Sequence, residues 1–363
     1  MDHRFRQKAL QRTLAQHKLD GVLVTHPPNV RYLCGFTGSA GALVFSQNKS
    51  VFFTDGRYVE QSHAEVRGPK ILIAREGPLI GAGKWLASQG SGVRKKANIG
   101  IEGEHLRVAE RSRLKGVLGN QIKISESLAL TEHLRLIKDE DELVLIRAAA
   151  GLGERLWKQT RRLVRAGVKE TDISAELEYA ARRAGAQGMS FDTIVASGKR
   201  SALPHGVASV EAIPARGFVV CDFGVILCGY CSDMTRTIFV GQPSKEHLHA
   251  YEAVSRAQEA AVAAVKPGAS VGEVDSAARN LLKSEGLAKY FTHSTGHGVG
   301  LEIHESPRIA SGRDEILRPG MVITIEPGVY IPGKYGIRIE DMVLVTERGR
   351  EVLTPSSKDL FTV

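Results

Sequence analysis

THSTGHGVGLEIHESP (292–307), GMVITIEPGVYI (320–331) and YGIRIEDMVLV (335–345) decide how this chain reads. The first run sets His293, His297 and His304 in a Gly-rich loop. The other two carry Glu326 and Glu340 on segments whose Val and Ile content predicts strands, with the two acids in strand interiors. A carboxylate among Ile, Val and Thr loses on the order of several kcal/mol of hydration unless it meets a cation, so the economical reading is a buried metal site. Further ligands are then expected upstream.

They lie in an internal repeat. AGVKETDISAELEYAARRAGA, from Ala166, matches PGASVGEVDSAARNLLKSEGL, from Pro267, in its Gly, its helix start and its final Gly; RGFVVCDFG, from Arg216, matches PGMVITIEPG, from Pro319. In the first copy Asp222 closes a predicted strand and Asp233 opens another; in the second the acids are Glu326 and Glu340. Two similar halves facing each other bring four carboxylates to a pseudo-twofold axis, and His297 adds a nitrogen. A single catalytic zinc takes three protein ligands, usually His-rich. Four carboxylates and one imidazole suit two divalent ions about 3.5 Å apart, and oxygen-dominated ligation favours Mn²⁺, ahead of Co²⁺ or Zn²⁺. Such a pair makes hydroxide available near neutrality and polarises a carbonyl, which is hydrolase chemistry. Any one of these acids is equally well explained as a salt-bridge partner or a helix cap; all five residues together are not.

The N-terminal part reads as an alternating α/β domain ending near residue 130. An amphipathic helix over residues 2–18 leads to the apolar run GVLVT at Gly21 and the breaker His26-Pro27-Pro28-Asn29. Strands are predicted at Ala42–Phe45, Ser50–Thr54, Lys70–Ala74 and Asn98–Ile101, with helices at Pro78–Ser88 and Arg107–Leu118. GFTGSAG (35–41) lacks the Gly-Lys-Ser/Thr of a phosphate loop, and it and TDGRY (54–58) read as turns ahead of a substrate-facing role. From Leu134 the periodicity turns helical with acids at its start, placing a boundary there. Helices at Glu170–Ala184, Ser244–Lys266 and Val271–Glu285 and a strand at Phe218–Asp222 follow.

Composition sets the class. At 363 residues, 42% apolar and 25% charged, the chain is long enough for two globular domains and lacks the bias of a disordered protein. No stretch approaches the roughly 18 apolar residues of a membrane span, and the charged first residues do not form a signal peptide, so a cytoplasmic protein with no membrane partner is expected. The +9 net charge is uneven: residues 1–138 hold 22 Lys and Arg against 11 Asp and Glu, the remainder 27 against 29. The basic residues are scattered and no aromatic residues interleave with them, which argues for a solvated surface and against nucleic acid; attraction of anionic substrates ranks below the solvated surface. Cys34, Cys221, Cys228 and Cys231 include a single CxxC pair, too few for a zinc site, and are expected to be free thiols.

The series Asp222, Asp233, His297, Glu326, Glu340, in the contexts CDFG, SDMTRT, GHGVG, TIEPG and RIED, resembles the proline-specific metallopeptidases of the pita-bread fold, the prolidase and aminopeptidase P branch. The resemblance covers essentially the whole chain. It implies an α/β creatinase-like N-terminal domain over 1–130 and an α+β pita-bread catalytic domain with an internal pseudo-twofold repeat over 134–363, working as a homodimer. It implies that Asp233 and Glu340 bridge the two ions, that Asp222 completes one site and His297 with Glu326 the other, and that Glu326 shuttles the proton of the attacking water. By the same resemblance His205, in LPHG, lies in the substrate pocket, His293 and His304 hold the scissile carbonyl and its developing oxyanion, and Arg338 orients nearby carboxylates at the substrate site. Small peptides with proline in the second position are the implied substrates.

Within that branch, Arg308 in HESPR matches the arginine that faces the free carboxylate of a dipeptide in prolidases, which favours an Xaa-Pro dipeptidase over an aminopeptidase P acting on longer peptides. Pairing of Arg308 with Glu305 or Asp314 is the bland alternative. A creatinase-like amidinohydrolase lacks the metal ligands, a methionine aminopeptidase usually lacks the N-terminal domain, and a non-enzymatic peptide- or nucleic-acid-binding module has no use for an intact ligand set.

Overall fold

The computed structural model describes residues 1–88, 97–120, 122–127 and 129–363. The chain divides into two compact units, Met1–Arg135 and Leu136–Val363. Among the described residues no helix is long and apolar enough to cross a membrane.

In the first unit the order is α1 (His3–Gln16), β1 (Gly21–Val24), α2 (Pro27–Cys34), β2 (Gly41–Ser46), β3 (Ser50–Thr54), α3 (Val59–Glu65), β4 (Lys70–Ile73), α4 (Pro78–Ala87), β5 (Asn98–Glu102), α5 (Val108–Leu118), β6 (Lys123–Ser127) and α6 (Leu130–Arg135). Its sheet runs β4-β3-β2-β1-β5-β6, and Leu23, Val44, Phe53, Ile99 and Leu114 share its core. The expected breaker at Pro27-Pro28 is instead the start of α2. Proline at the first helical positions gives up an N–H that has no intrahelical partner there. The buried Glu102 carboxylate accepts from the Thr25 and His26 N–H groups, at 2.6 and 2.7 Å, and from Asn29 Nδ2 at 2.7 Å, fixing the turn into the helix.

The second unit contains α7 (Glu140–Thr160), α8 (Glu170–Arg183), β7 (Gly188–Met189), β8 (Ile194–Ser197), β9 (Gly217–Phe223), β10 (Val225–Leu227), β11 (Tyr230–Cys231), β12 (Met234–Val240), α9 (Lys245–Ala264), α10 (Val271–Ser284), β13 (Gly296–Gly298), β14 (Glu305–Ile309), β15 (Val322–Ile325), β16 (Gly328–Ile331), β17 (Tyr335–Arg338), β18 (Asp341–Thr346), β19 (Gly349–Val352) and β20 (Phe361–Thr362). The helix expected from Leu134 starts later, at Glu140, where Asp139 and Glu142 form a reciprocal capping box.

The repeat is visible in the sheets. One is ordered β20-β12-β9-β8 and the other β14-β13-β15-β18-β19, so that β8-β9-β12 corresponds to β13-β15-β18, each set following one of the matched helices α8 and α10. A 4-stranded and a 5-stranded sheet thus share a core: Phe218 and Phe239 from the first, Ile323, Ile325 and Val343 from the second, and Ala257, Val274 and Leu282 from α9 and α10 are all fully buried in one cluster. The Glu340 N–H donates to Thr235 O at 3.1 Å, linking the two sheets where their carboxylates lie.

Candidate metal centre

The four acids occupy corresponding places in the repeat. Asp222 is the next-to-last residue of β9 and Glu326 the first after β15; Asp233 immediately precedes β12 and Glu340 immediately precedes β18. Three of the four acids therefore sit beside strands rather than within them, correcting the expectation for Glu326 and Glu340. Pairing groups are satisfied along β15 and β18, whereas the first residue beyond a strand is free to turn its side chain to the axis.

His297 is placed by its neighbours. β13 is sandwiched between β14 and β15, and a Cβ on Gly296 would stand 1.9 Å from Thr324 O while one on Gly298 would stand 2.2 Å from Ser306 O, so the Gly-His-Gly triplet is sterically required. His297 Nδ1 faces Gly298 O at 3.0 Å. A carbonyl only accepts, so Nδ1 carries the hydrogen and Nε2 presents its lone pair toward Asp233 Oδ2 at 3.6 Å and Glu326 Oε1 at 3.4 Å. Burial holds the imidazole's pKa down to about 4, so it is neutral at pH 7, the form a metal requires.

Ligand atoms of Asp233, His297 and Glu340 lie within 4.8 Å of one another, the one group of this kind among the described residues. Asp222 and Glu326 line the same cavity just outside that set. Thr235 Oγ1 donates to Glu340 Oε2 at 2.7 Å, and Thr324 Oγ1 contacts Glu326 Oε1 at 3.3 Å while accepting from the His297 N–H at 3.1 Å. Arg338, itself buried, donates Nη2 to Asp222 Oδ2, Nη1 to Tyr330 Oη at 2.6 Å and to Pro204 O at 3.0 Å, and Nε to Thr235 Oγ1 at 3.2 Å.

The donor set fits a divalent cation. Four carboxylates face one buried guanidinium, and Oδ1 of both Asp222 and Asp233 is buried with no hydrogen-bond partner. Burial, then the neighbouring Glu340, pushes Asp233 well above the carboxylate range; burial, then Glu326, does the same to Glu340; burial pushes Glu326 up to about 8 against the opposing pull of Arg338. Such a cluster is held ionised by cations.

The surrounding cavity has a volume of 760 Å³ and includes His205, His293, His304 and Arg308 in its wall. His205 and His304 are exposed to it, and the His304 ring stands edge-on to His297 with centroids 4.4 Å apart. His293 is differently placed: Nδ1 bonds Ser294 O at 2.8 Å and Nε2 bonds Tyr330 Oη at 3.0 Å, so both ring nitrogens are engaged. Arg308 is the cross-strand partner of His297 in the β13–β14 pair. Glu305, offered as its surface partner, bonds Lys138 Nζ at 3.2 Å, and neither Glu305 nor Asp314 pairs with the Arg308 guanidinium among the described residues. The four cysteines are free, Cys228 exposed and the others buried.

Several functional side chains escape a reading of the sequence. Tyr330 and Thr235 hold Arg338, and Asp275 on α10 accepts from Thr295 Oγ1 at 2.7 Å and from Arg279 Nε at 2.6 Å, while Arg279 Nη1 reaches Phe291 O at 3.2 Å, tying down the segment that carries His293. The i,i+4 spacing of Asp275 and Arg279 was the one available signal, and it reads equally as a surface pair.

Fold and site define a metal-dependent hydrolase. Residues 144–347 match metallopeptidase family M24 and residues 6–137 match the creatinase/prolidase N-terminal domain. The chain belongs to metallopeptidase family M24, and the pita-bread resemblance and the fold class expected from the sequence hold. It is 36% identical to the Xaa-Pro dipeptidase of Pyrococcus furiosus, over 98% of this chain and 99% of the relative. Among solved structures, the Xaa-Pro dipeptidase from Bacillus anthracis is 40% identical with a TM-score of 0.94, covering 100% of both chains. The X-Pro aminopeptidase from Thermotoga maritima is 35% identical with a TM-score of 0.89, over 98% of this chain and 99% of that one.

Proposed function

We propose that the chain is a dinuclear-metal exopeptidase that hydrolyses the bond before proline in Xaa-Pro dipeptides. The convergence of Asp233, His297 and Glu340 ligand atoms within 4.8 Å carries this reading. Asp233 and Glu340 would each serve both ions, with Asp222 on one side and His297 and Glu326 on the other. The oxygen-rich set favours Mn²⁺. Bound, the ions supply hydroxide near neutral pH and a Lewis acid for the scissile carbonyl.

The chain's own residues do the rest. Glu326, 3.4 Å from His297 Nε2, would take and return a proton beside the reacting carbonyl. His304 and His205, exposed in the cavity wall, offer N–H donors to the carbonyl oxygen and the substrate backbone. His293 joins them only by releasing Tyr330, and in the present arrangement it acts through the Tyr330–Arg338 chain. A prolyl nitrogen has no N–H, so this wall needs no acceptor for one.

Preference for dipeptides rests on Arg308. Cross-strand neighbours put their Cβ atoms roughly 4.5–5.5 Å apart on one face, so a guanidinium opposite His297 stands one residue's reach from the reacting carbonyl. Relatives named as dipeptidase, at 36% and 40% identity, are somewhat more similar than the one named as aminopeptidase, at 35%, which supports the same reading. A homodimer in the cytoplasm completes the proposal. The decisive experiment measures hydrolysis of leucyl-proline, leucyl-prolyl-glycine and leucyl-leucine with metal content determined on the same sample. Faster cleavage of the tripeptide would move the assignment to an aminopeptidase P, and equal rates on leucyl-leucine would remove the proline requirement.

A further inference from the structure

Glu170, the first residue of α8, is fully buried yet lies outside the set of acids and histidines described above. Its carboxylate accepts five hydrogen bonds. Oε1 takes the Ser197 N–H at 2.7 Å and Ser197 Oγ at 2.8 Å; Oε2 takes the Ser209 N–H at 3.0 Å, Ser209 Oγ at 2.8 Å and Arg200 Nε at 3.0 Å. Ser197 ends β8, and Ser209 lies where the following loop returns to α8, with the Thr171 N–H donating to Ser209 O at 3.0 Å. One carboxylate thus grips both ends of a single loop, the geometry of an Ω-loop closed at its base.

That loop carries Pro204, His205 and Val207 into the wall of the catalytic cavity. Apolar burial is slight there: Leu203 and Val207 are each 50% exposed, and Ala208 packs only partly buried against the core. Polar anchors hold the loop: the Gly336 N–H to Ser201 Oγ at 2.8 Å, Arg338 Nη1 to Pro204 O at 3.0 Å, and the Glu170 clamp. A buried acid adds little net stability over an apolar residue of its size.

We propose that Glu170 is a positioning residue that closes the Ser197–Ser209 loop at its base and thereby fixes His205 in the cavity wall. The proposal rests on the substrate-pocket role given to His205. Glu170→Gln keeps the side chain's shape but turns one acceptor into an NH₂ facing N–H and O–H donors, so one end of the loop is released.

The test is a double-mutant cycle on the full-length, metal-loaded protein with leucyl-proline. E170Q is expected to lower kcat/KM by about ten- to a hundredfold, the scale on which misplacing a substrate-contacting group acts, with metal content unchanged. Added to His205→Ala, it should cost less than about twofold, because the residue it positions is gone. Hydrogen exchange of the amides in 198–209 should accelerate in E170Q. Equal losses in both backgrounds, or no loss in either, would overturn the proposal, as would unchanged exchange. If H205A alone is fully active, the role of His205 falls, while exchange across the loop still reads the clamp. If E170Q fails to fold, Ser209→Ala, which deletes one hydroxyl and leaves the backbone bond, carries the same cycle with a smaller expected loss of about three- to tenfold.

Discussion

Arg308→Ala separates a dipeptidase from an aminopeptidase. In an Xaa-Pro dipeptide the free carboxylate lies one residue beyond the scissile bond, and a guanidinium facing it makes a charge-assisted hydrogen bond worth about 1.5–3 kcal/mol. Arg308 is exposed, so the lower figure applies, and 1.5 kcal/mol corresponds to roughly tenfold in kcat/KM. A tripeptide moves the carboxylate about 3.5 Å farther along an extended chain. At about twice the separation the Coulomb attraction halves, leaving about 0.75 kcal/mol, an effect of roughly three- to fourfold. The variant should therefore lose about three times more activity on leucyl-proline than on leucyl-prolyl-glycine, chiefly through KM, and added salt should narrow the difference. Steady-state kinetics on both substrates, with metal content checked, measures it. Equal loss on the two would mean that Arg308 does not face the carboxylate, and the dipeptide assignment would lose its support.

Two further outcomes follow from the same centre. Exhaustive chelation should abolish hydrolysis and Mn²⁺ should restore it, whereas Asp233→Ala and Glu340→Ala should each lower bound metal and remain inactive on reconstitution, read by elemental analysis beside activity. Burial, aided by Arg338, holds His293 down to about 4 from a usual 6.5; because the folded pKa is depressed, its contribution is full above pH 6.5 and falls as the unfolded chain takes up the proton, by about 3 kcal/mol between pH 6.5 and 4. His297 and the raised carboxylates titrate in the same window, so the His293 part is read as a difference. In urea unfolding of metal-free protein, His293→Gln should lose about 3 kcal/mol less stability between pH 6.5 and 4 than the parent does; an identical pH slope in both proteins would refute the assignment.

What the sequence disclosed and what it hid divide along a physical line. Periodicity and β-branched runs located β9, β12, β15 and β18, the paired strands of the two sheets, and the repeated Gly-helix-Gly pattern exposed the pseudo-symmetry, because these are local signals; β13 instead read as a Gly-rich loop. The Gly-His-Gly triplet and the five-residue series were legible for the same reason. Glu170 was not: at the start of a helix an acid reads as a macrodipole partner, and its ligands at Ser197 and Ser209 are 27 and 39 residues away. Pro27-Pro28 was ambiguous in kind, since a proline pair ends one element and can begin the next, and the deciding carboxylate of Glu102 comes from β5.

The carboxylates show why a strand-rich sequence was nevertheless read one step off. Glu340 and Asp233 each precede a strand by one residue, and Glu326 follows one. A side chain inside a ladder must point straight up or down from the sheet, and its backbone belongs to its neighbours. One residue outside, the backbone is free to reach across instead, as the Glu340 N–H does to Thr235 O. The symmetry then acts twice: matched strand ends of the two sheets bring their acids together, and each sheet makes the other's acids costly to leave without a cation. Neither half can form this centre alone. A duplicated strand–helix unit whose acids sit at strand ends therefore places a buried anionic site at its axis as a consequence of pairing, and the single histidine, wedged between two glycines in β13, breaks the symmetry by giving one side a nitrogen.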